Sequence, residues 1–119
     1  MDKDKLCEKL TEHLEVIKKC SIQTEQGTVL LATVLESRYP YVYPRDSSSA
    51  STLFRQMVEK GLDPNGDAFS ILKGLAKFIA YVQEESGRWG QRYGLNGQNK
   101  AIYIQEDNTA YGAIILANY

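Results

Sequence analysis

Hydrophobic residues recur at helical spacing in four stretches of the chain, and each stretch predicts an amphipathic helix. The first predicted helix runs from about Lys3 to Cys20, and the second begins at an N-cap formed by Asp46 or Ser47 and ends at Gly61. The third covers about residues 68–83 and the fourth about residues 108–119. Their expected apolar positions are, in chain order, Leu6, Leu10, Leu14 and Ile17; Ala50, Leu53, Phe54, Met57 and Val58; Phe69, Leu72, Leu75, Ala76, Ile79 and Val82; and Ala110, Tyr111, Ile114, Ile115 and Ala117.

The segments between these helices differ in their local chemistry. A short β-branched apolar run over residues 28–35 predicts one isolated strand or extended segment. Residues 62–67 have the composition of a turn. Residues 84–104 form a long glycine-containing loop, and a loop of that length in a compact domain is usually functional. Long connections between helices favour an all-α array of helical hairpins over a closed four-helix bundle.

The Tyr- and Pro-rich segment over residues 38–46 is the most unusual stretch of the chain. Pro40 and Pro44 bias the residues before them toward extended geometry, so no helix is expected through this segment. Side chains alternate in an extended segment, which would place Tyr39, Tyr41, Tyr43 and Arg45 on one side. Phenol rings beside an Arg and a carboxylate, here Asp46, suit a ligand with apolar faces and a hydroxyl rim, such as a sugar. The alternative is an aromatic connection that covers the helix core.

Composition and charge narrow the classes of partner. The chain has 119 residues, of which 43% are hydrophobic and 24% charged, and this predicts one soluble domain over residues 1–119. Its formal net charge is −1, so no excess of positive charge favours nucleic acid or an anionic membrane. No apolar run predicts a signal peptide or a membrane span, and we expect a cytoplasmic protein.

The residue types that usually hold metals or cofactors are sparse. Cys7 and Cys20 lack metal-ligand and redox spacing, and on one helix they would lie roughly 20 Å apart, too far for a disulfide. His13 has no second candidate ligand nearby, and we expect it at the surface. The loop glycines do not follow a phosphate-binding pattern. We therefore expect no metal, nucleotide or other cofactor.

Carboxylates suited to glycoside hydrolysis can be sought in Asp46, Glu106 and Asp107, because that reaction uses two at a set distance. Asp46 and Asp107, however, precede predicted helices, where N-capping is the ordinary role of an aspartate. A separate series, Lys73-Gly74, Phe78-Ile79 and Gln83 to Trp89, resembles the hairpin repeat of triterpene cyclases, which are α/α toroids. It is a single copy without their acidic Asp-x-Asp-Asp motif, so an isoprenoid cyclase-like protein is the weaker option.

A second resemblance covers residues 39–119 and rests on three motifs in order. They are Tyr39-x-Tyr41-x-Tyr43-Pro44-Arg45-Asp46, Ser86-Gly87-Arg88-Trp89-Gly90-Gln91, and Gln105-Glu106-Asp107 before an apolar helix. Together they resemble the glucoamylase family, glycoside hydrolase family 15. The resemblance implies exo-acting, inverting hydrolysis of α-glucans by an (α/α)6 toroid. This chain would be the N-terminal part of that toroid, as a fragment, a split gene product or a degenerate relative.

The resemblance also implies roles for individual residues. Arg45 and Asp46 would bind the terminal glucose, and the three tyrosines would line the same subsite, although the family usually has Trp at the position of Tyr43. Trp89, Gln105 and Asp107 would form neighbouring walls.

The family's catalytic glutamate pair lies beyond the matched region, so no residue of this chain is assigned as catalytic. The implied partners are an α-glucan or small glucoside and the rest of a longer or split glycosidase. The alternative is a non-catalytic α-hairpin interaction module, since toroid-like domains of phosphorylase kinase persist without demonstrated hydrolysis.

Overall fold

The computed structural model describes residues 2–33, 40–105 and 107–119. Within these ranges the chain is mostly helical, with four helices and one two-stranded antiparallel sheet. The elements are, in chain order, α1 (Lys3–Lys18), β1 (Ser21–Thr24), β2 (Gly27–Leu30), α2 (Pro44–Glu59), α3 (Asp67–Val82) and α4 (Asn108–Asn118). The four predicted helices are therefore confirmed. No described helix combines the length and the apolar character needed to cross a lipid bilayer.

Helix α3 is the centre of the core and packs against β2, α2 and α4. Its buried residues lie on more than one face, as expected for a helix covered on several sides. They are Ala68, Ile71, Leu72, Gly74, Leu75, Ala76, Phe78, Ile79 and Val82. Phe69 was predicted on the buried face but is 43% exposed, and its ring lies 6.0 Å from that of Tyr119.

The extended segment predicted over residues 28–35 is one strand of a hairpin, so the prediction of an isolated strand was wrong. Strand β2 pairs with β1 in the register Ser21↔Leu30 to Thr24↔Gly27, across a two-residue turn. Strand β1 has few apolar residues and lies outside the predicted run. It is a strand because it pairs with β2 and not because of its own pattern. The described part of the predicted run continues to Thr33, and the rest lies outside the described residues.

The hairpin approaches α3 at a glycine. A Cβ built on Gly74 would overlap the carbonyl oxygen of Thr28 and lie 2.6 Å from its nitrogen. Backbone can pack this closely on backbone only where the helix has no side chain. Gly74 therefore allows β2 to lie directly on α3.

Helix α1 covers one edge of this core through Leu14, which is buried. It ends at Lys18, two residues earlier than predicted. Cys7 and Cys20 are half-buried free thiols, and His13 is exposed as predicted.

Helix α2 begins at Pro44, earlier than the sequence pattern predicted. Proline suits the first helical position because its fixed φ is helical and its missing N–H would have no partner there. Tyr43 precedes it with the extended geometry predicted, at φ −106° and ψ 117°. Arg45 and Asp46 consequently lie in the first helical turn. The predicted alternation does not extend to Arg45, and neither Asp46 nor Ser47 is the N-cap.

The turn before α3 has the predicted character. Asp63 satisfies the first free backbone groups of the helix, because its two carboxylate oxygens accept from the N–H groups of Ala68 at 3.0 Å and Phe69 at 2.9 Å. The turn therefore fixes where α3 starts.

Candidate ligand-binding site

The Tyr/Pro segment and the long loop are joined by backbone pairing. Val42 and Tyr93 form an antiparallel bridge with two hydrogen bonds of 2.9 Å, and Tyr93 forms a second bridge with Asn99. Val42 and Tyr93 are almost fully buried, at 0% and 1% exposure. The first two sequence motifs are therefore held beside each other, although neither segment forms a regular strand.

This pairing places a cation between two of the predicted tyrosines. Because Val42 lies opposite Tyr93, Tyr43 lies opposite Arg92, and Tyr41 is on the same face. The guanidinium carbon of Arg92 is 5.0 Å from the ring centroid of Tyr43 and 5.5 Å from that of Tyr41. Sequence reasoning paired these rings with Arg45 and missed Arg92. The available signal was the presence of two arginines, Arg88 and Arg92, within the long loop.

A cleft of about 700 Å³ lies between the long loop and the start of α4. It combines two rings with amides, a carboxylate and a guanidinium, which is the mixture expected for a polar ligand with apolar faces. Its lining residues are Glu84, Arg88, Trp89, Gly90, Gln91, Asn99, Ala101, Tyr103, Ile104, Gln105 and Thr109.

The cleft contains only part of the predicted site. Trp89 and Gln105 line it, whereas Tyr41, Tyr43, Arg45, Asp46 and Asp107 are not among its lining residues. The predicted residue Tyr39 and the candidate carboxylate Glu106 lie outside the described residues. Six polar or aromatic lining residues were not predicted, and they are Glu84, Arg88, Gln91, Asn99, Tyr103 and Thr109.

Trp89 is held firmly at the base of the cleft. Its indole N–H donates to the carbonyl of Ile79 at 2.8 Å, and the side chain is only 6% exposed. The ring faces α4 at Gly112, where an added Cβ would lie 2.7 Å from Cε2 of the indole. Asn108, the first residue of α4, donates from its amide nitrogen to the carbonyl of Gly90 at 2.7 Å. Trp89 is therefore a fixed wall and not a freely exposed stacking ring.

Asp107 occupies the N-cap position of α4 but does not cap it with its side chain. Its Oδ2 accepts instead from the hydroxyl of Tyr111 at 2.9 Å. That hydrogen bond holds the pKa of Asp107 below its usual value, with further lowering by the amide of Gln105 and the charge of Arg45. The same bond raises the pKa of Tyr111. Arg45, Gln105 and Asp107, from two separate motifs, are thus close enough to interact.

Glu84 is the carboxylate that lines the cleft, in addition to the candidate carboxylates sought at residues 46, 106 and 107. It accepts from the amide of Asn99 at 3.3 Å. Burial raises the pKa of Tyr93, and the negative charge of Glu84 raises it further, while the hydrogen bond from the N–H of Gly90 opposes both. Glu84 was placed at the start of the long loop but was not considered as a ligand-binding residue.

No three or more potential metal-ligating side chains come together in the described part of the chain. No known protein family, curated protein or solved structure matches the sequence or the fold. The described residues form a mostly helical fold with a polar-aromatic cleft beside α4.

Proposed function

We propose that this chain is the sugar-binding part of a glucoamylase-like glycoside hydrolase that acts on α-glucans. In this proposal its helices belong to the first hairpins of an (α/α)6 toroid, and the cleft beside α4 receives a glucose unit. The ligand is an α-glucan or a small glucoside, and the catalytic glutamate pair is supplied by residues outside the region of resemblance.

The observation that supports the proposal most directly is the chemistry of the cleft. Gln91, Asn99 and Gln105 offer amides, each of which can donate and accept. Tyr103 and the edge of Trp89 offer apolar surface. A sugar ring has hydroxyl groups around its rim and C–H groups on its faces, and it matches this combination.

A second support is the grouping of residues from separate motifs. Arg45, from the first motif, lowers the pKa of Asp107, from the third, and Gln105 lies beside Asp107. The resemblance implies that Arg45 binds the terminal glucose and that Gln105 and Asp107 form neighbouring walls. Hydrogen bonds to charged groups such as those of Arg45 and Asp107 are the stronger ones. Arg45 and Asp107 are exposed and therefore accessible to a ligand.

The test uses Trp89, the only tryptophan of the chain, as an intrinsic probe. Maltose is titrated into the wild-type chain while the indole fluorescence is followed, and a saturable change is expected because the ring forms a wall of the cleft. Gln105→Ala should weaken the response. Gln98→Ala is a matched control, since Gln98 lies in the same loop but does not line the cleft. A wild-type spectrum indifferent to maltose would count against the proposal.

The chain alone is expected to bind a glucoside without hydrolysing it. Inversion needs an acid and a base roughly 6.5–9.5 Å apart. Glu84 is one carboxylate in the cleft, while Asp107 accepts from Tyr111 and has a lowered pKa, which makes it a poor acid. Maltose and an aryl α-glucoside are the substrates to assay. Turnover that disappears in Glu84→Gln or Glu106→Gln would show that the chain holds its own catalytic pair.

One observation favours the alternative of an interaction module. Helix α4 contains no charged residue, and Ile114 and Leu116 are 41% and 38% exposed. A helix that is apolar all round is usually covered. Sedimentation of the wild-type chain and of Ile114→Lys over a range of concentrations tests this alternative, because an association that uses α4 should weaken in the variant while maltose binding stays unchanged.

A further inference from the structure

We propose that Gln91, held in one orientation by Arg92, is a specificity-determining residue that presents only hydrogen-bond donors to the ligand in the cleft. This inference rests on the proposed sugar-binding function and adds the hydrogen-bonding polarity that the sugar must match.

Arg92 is fixed on three sides. Tyr41 and Tyr43 lie under its guanidinium at 5.5 and 5.0 Å, and such contacts are stronger where water is partly excluded. Its backbone carbonyl accepts from the N–H of Lys100 at 3.0 Å, next to the bridge between Tyr93 and Asn99. The side chain is half-buried. The position of the guanidinium is therefore set by its neighbours and not by the ligand.

The guanidinium determines which end of the Gln91 amide faces it. The Nε of Arg92 donates to Oε1 of Gln91 at 2.7 Å. An arginine side chain has only donors, so the amide oxygen and not the NH2 group must face it. No described residue accepts from the NH2 group of Gln91, and Gln91 lines the cleft while being 6% exposed.

An amide that is free to turn can meet a ligand with its oxygen or its nitrogen. Gln91 cannot turn without breaking its bond to Arg92 and leaving a guanidinium N–H without a partner, which is costly in a partly buried place. The ligand atom that meets Gln91 must therefore accept. A sugar hydroxyl can do so, and a fluorine that replaces it can still accept weakly but can never donate.

Monodeoxyfluoro glucoses, with unmodified glucose and the matching deoxy glucoses as references, are the probes. Binding to the wild-type chain is measured by fluorine and proton NMR relaxation. Replacing the hydroxyl that meets Gln91 by fluorine should lower the affinity for the wild-type chain by at most about threefold relative to glucose. In Gln91→Glu the group that faces the ligand is an acceptor, so the same fluorine should cost about tenfold or more.

Two further variants keep the inference falsifiable. Gln91→Glu should melt at or above the wild type, because its carboxylate accepts from Arg92 through a charge-assisted bond. If it fails to fold, Gln91→Met removes the donor without adding charge. Glucose should then bind more weakly than to the wild type, and the fluorine should cost little further affinity, because neither group finds a partner at this position. Arg92→Met frees the amide to turn its oxygen toward the ligand. The amino glucose whose ammonium group replaces that hydroxyl, and which can only donate there, should then bind about threefold better relative to glucose than it does to the wild type. A purely structural role of Arg92 would leave this ratio unchanged.

The outcomes separate the two claims. If glucose and maltose bind to the wild type but every fluorine costs as much as the corresponding deoxygenation, the donor role of Gln91 is wrong and the proposed function stands. The same conclusion follows if Gln91→Glu accepts the fluoro sugars as well as the wild type does. If neither glucose nor maltose binds, both the proposed function and this inference are overturned.

Discussion

Gly112→Ala is expected to destabilise the protein and to displace Trp89 from the base of the cleft. In α4, the Cβ of an alanine at this position would lie within 2.7 Å of Cε2 and closer still to two other indole atoms. The ring cannot simply move away, because its N–H is bonded to Ile79 at 2.8 Å and the side chain is 6% exposed. The close packing of α4 on Trp89 therefore requires a glycine.

The size of the effect follows from three contributions. Overpacking of a buried contact typically costs about 1–3 kcal/mol. Replacing Gly by Ala inside a helix gains about 1 kcal/mol in helix propensity. If the ring shifts, its hydrogen bond to Ile79 weakens as well, at about 1 kcal/mol. The net loss is about 1–3 kcal/mol, and each kcal/mol lowers the Tm of a chain of this size by roughly 4 °C.

Thermal melts followed by circular dichroism measure the stability, and the emission of Trp89 reports its surroundings. Gly112→Ala should lower the Tm and shift the emission to longer wavelength as the indole becomes more exposed. Ala113→Gly is the matched control, since Ala113 is the exposed neighbour in the same helix. It should lose about 1 kcal/mol through helix propensity alone, with unchanged emission.

A Gly112→Ala protein that melts at or above the wild-type temperature with unchanged emission would refute this account of the contact. The pair Trp89→Phe and Gly112→Ala offers an additional check, because the smaller ring leaves room for the added methyl. The double variant should then be more stable than the sum of the single effects predicts, as is usual for residues in direct contact.

Three further predictions concern other contacts. Gly74→Ala should lower the free energy of unfolding, measured with denaturant, by at least about 2 kcal/mol. The added methyl meets the backbone of Thr28, which cannot rotate away as a side chain can. A smaller loss of stability than that of Ala80→Gly, at an exposed helix position, would contradict this. Tyr111→Phe should raise the pKa of Asp107 toward its ordinary value. The stability that ionised Asp107 contributes is present above the unfolded carboxyl pKa and is lost as the pH falls through the folded pKa, and this contribution should be smaller in the variant. Carbon NMR titration of the carboxyl group measures the pKa, and an unchanged value would count against the hydrogen bond. Arg45→Ala should weaken glucose or maltose binding by about 1.5–3 kcal/mol with an unchanged melt; unaltered affinity, or a collapse of the fold, would remove its assignment to the ligand.

The four helices could be predicted from the sequence because helical periodicity is local. The apolar spacing within each stretch and the turn around Asp63 depend on neighbours a few residues away. The extended geometry of Tyr43 follows in the same way from the proline after it. The start of α2 was predicted too late, although its cause is also local. Proline is favoured at the first position of a helix, so α2 begins at Pro44 and not after it.

The arrangement of the candidate site depended on contacts between distant segments. Nothing in the sequence around Tyr43 identifies Arg92 as its partner, because only the bridge between Val42 and Tyr93 places them opposite each other. Strand β1 likewise exists because β2 pairs with it. Glu84 and Gln91 line the cleft because the long loop folds back toward α4.

The composition of this site was therefore present in the sequence, while its geometry was not. Of the residues that line the cleft, Trp89 and Gln105 could be recognised by type and by motif as candidates for ligand binding. Tertiary structure decided which residues share a cleft and which tyrosines contact which arginine. It also decided where a glycine permits close packing. The physical reason is that the packing of whole elements sets the hydrogen bonds and ring contacts between residues about fifty positions apart. A short sequence pattern contains no information about that packing.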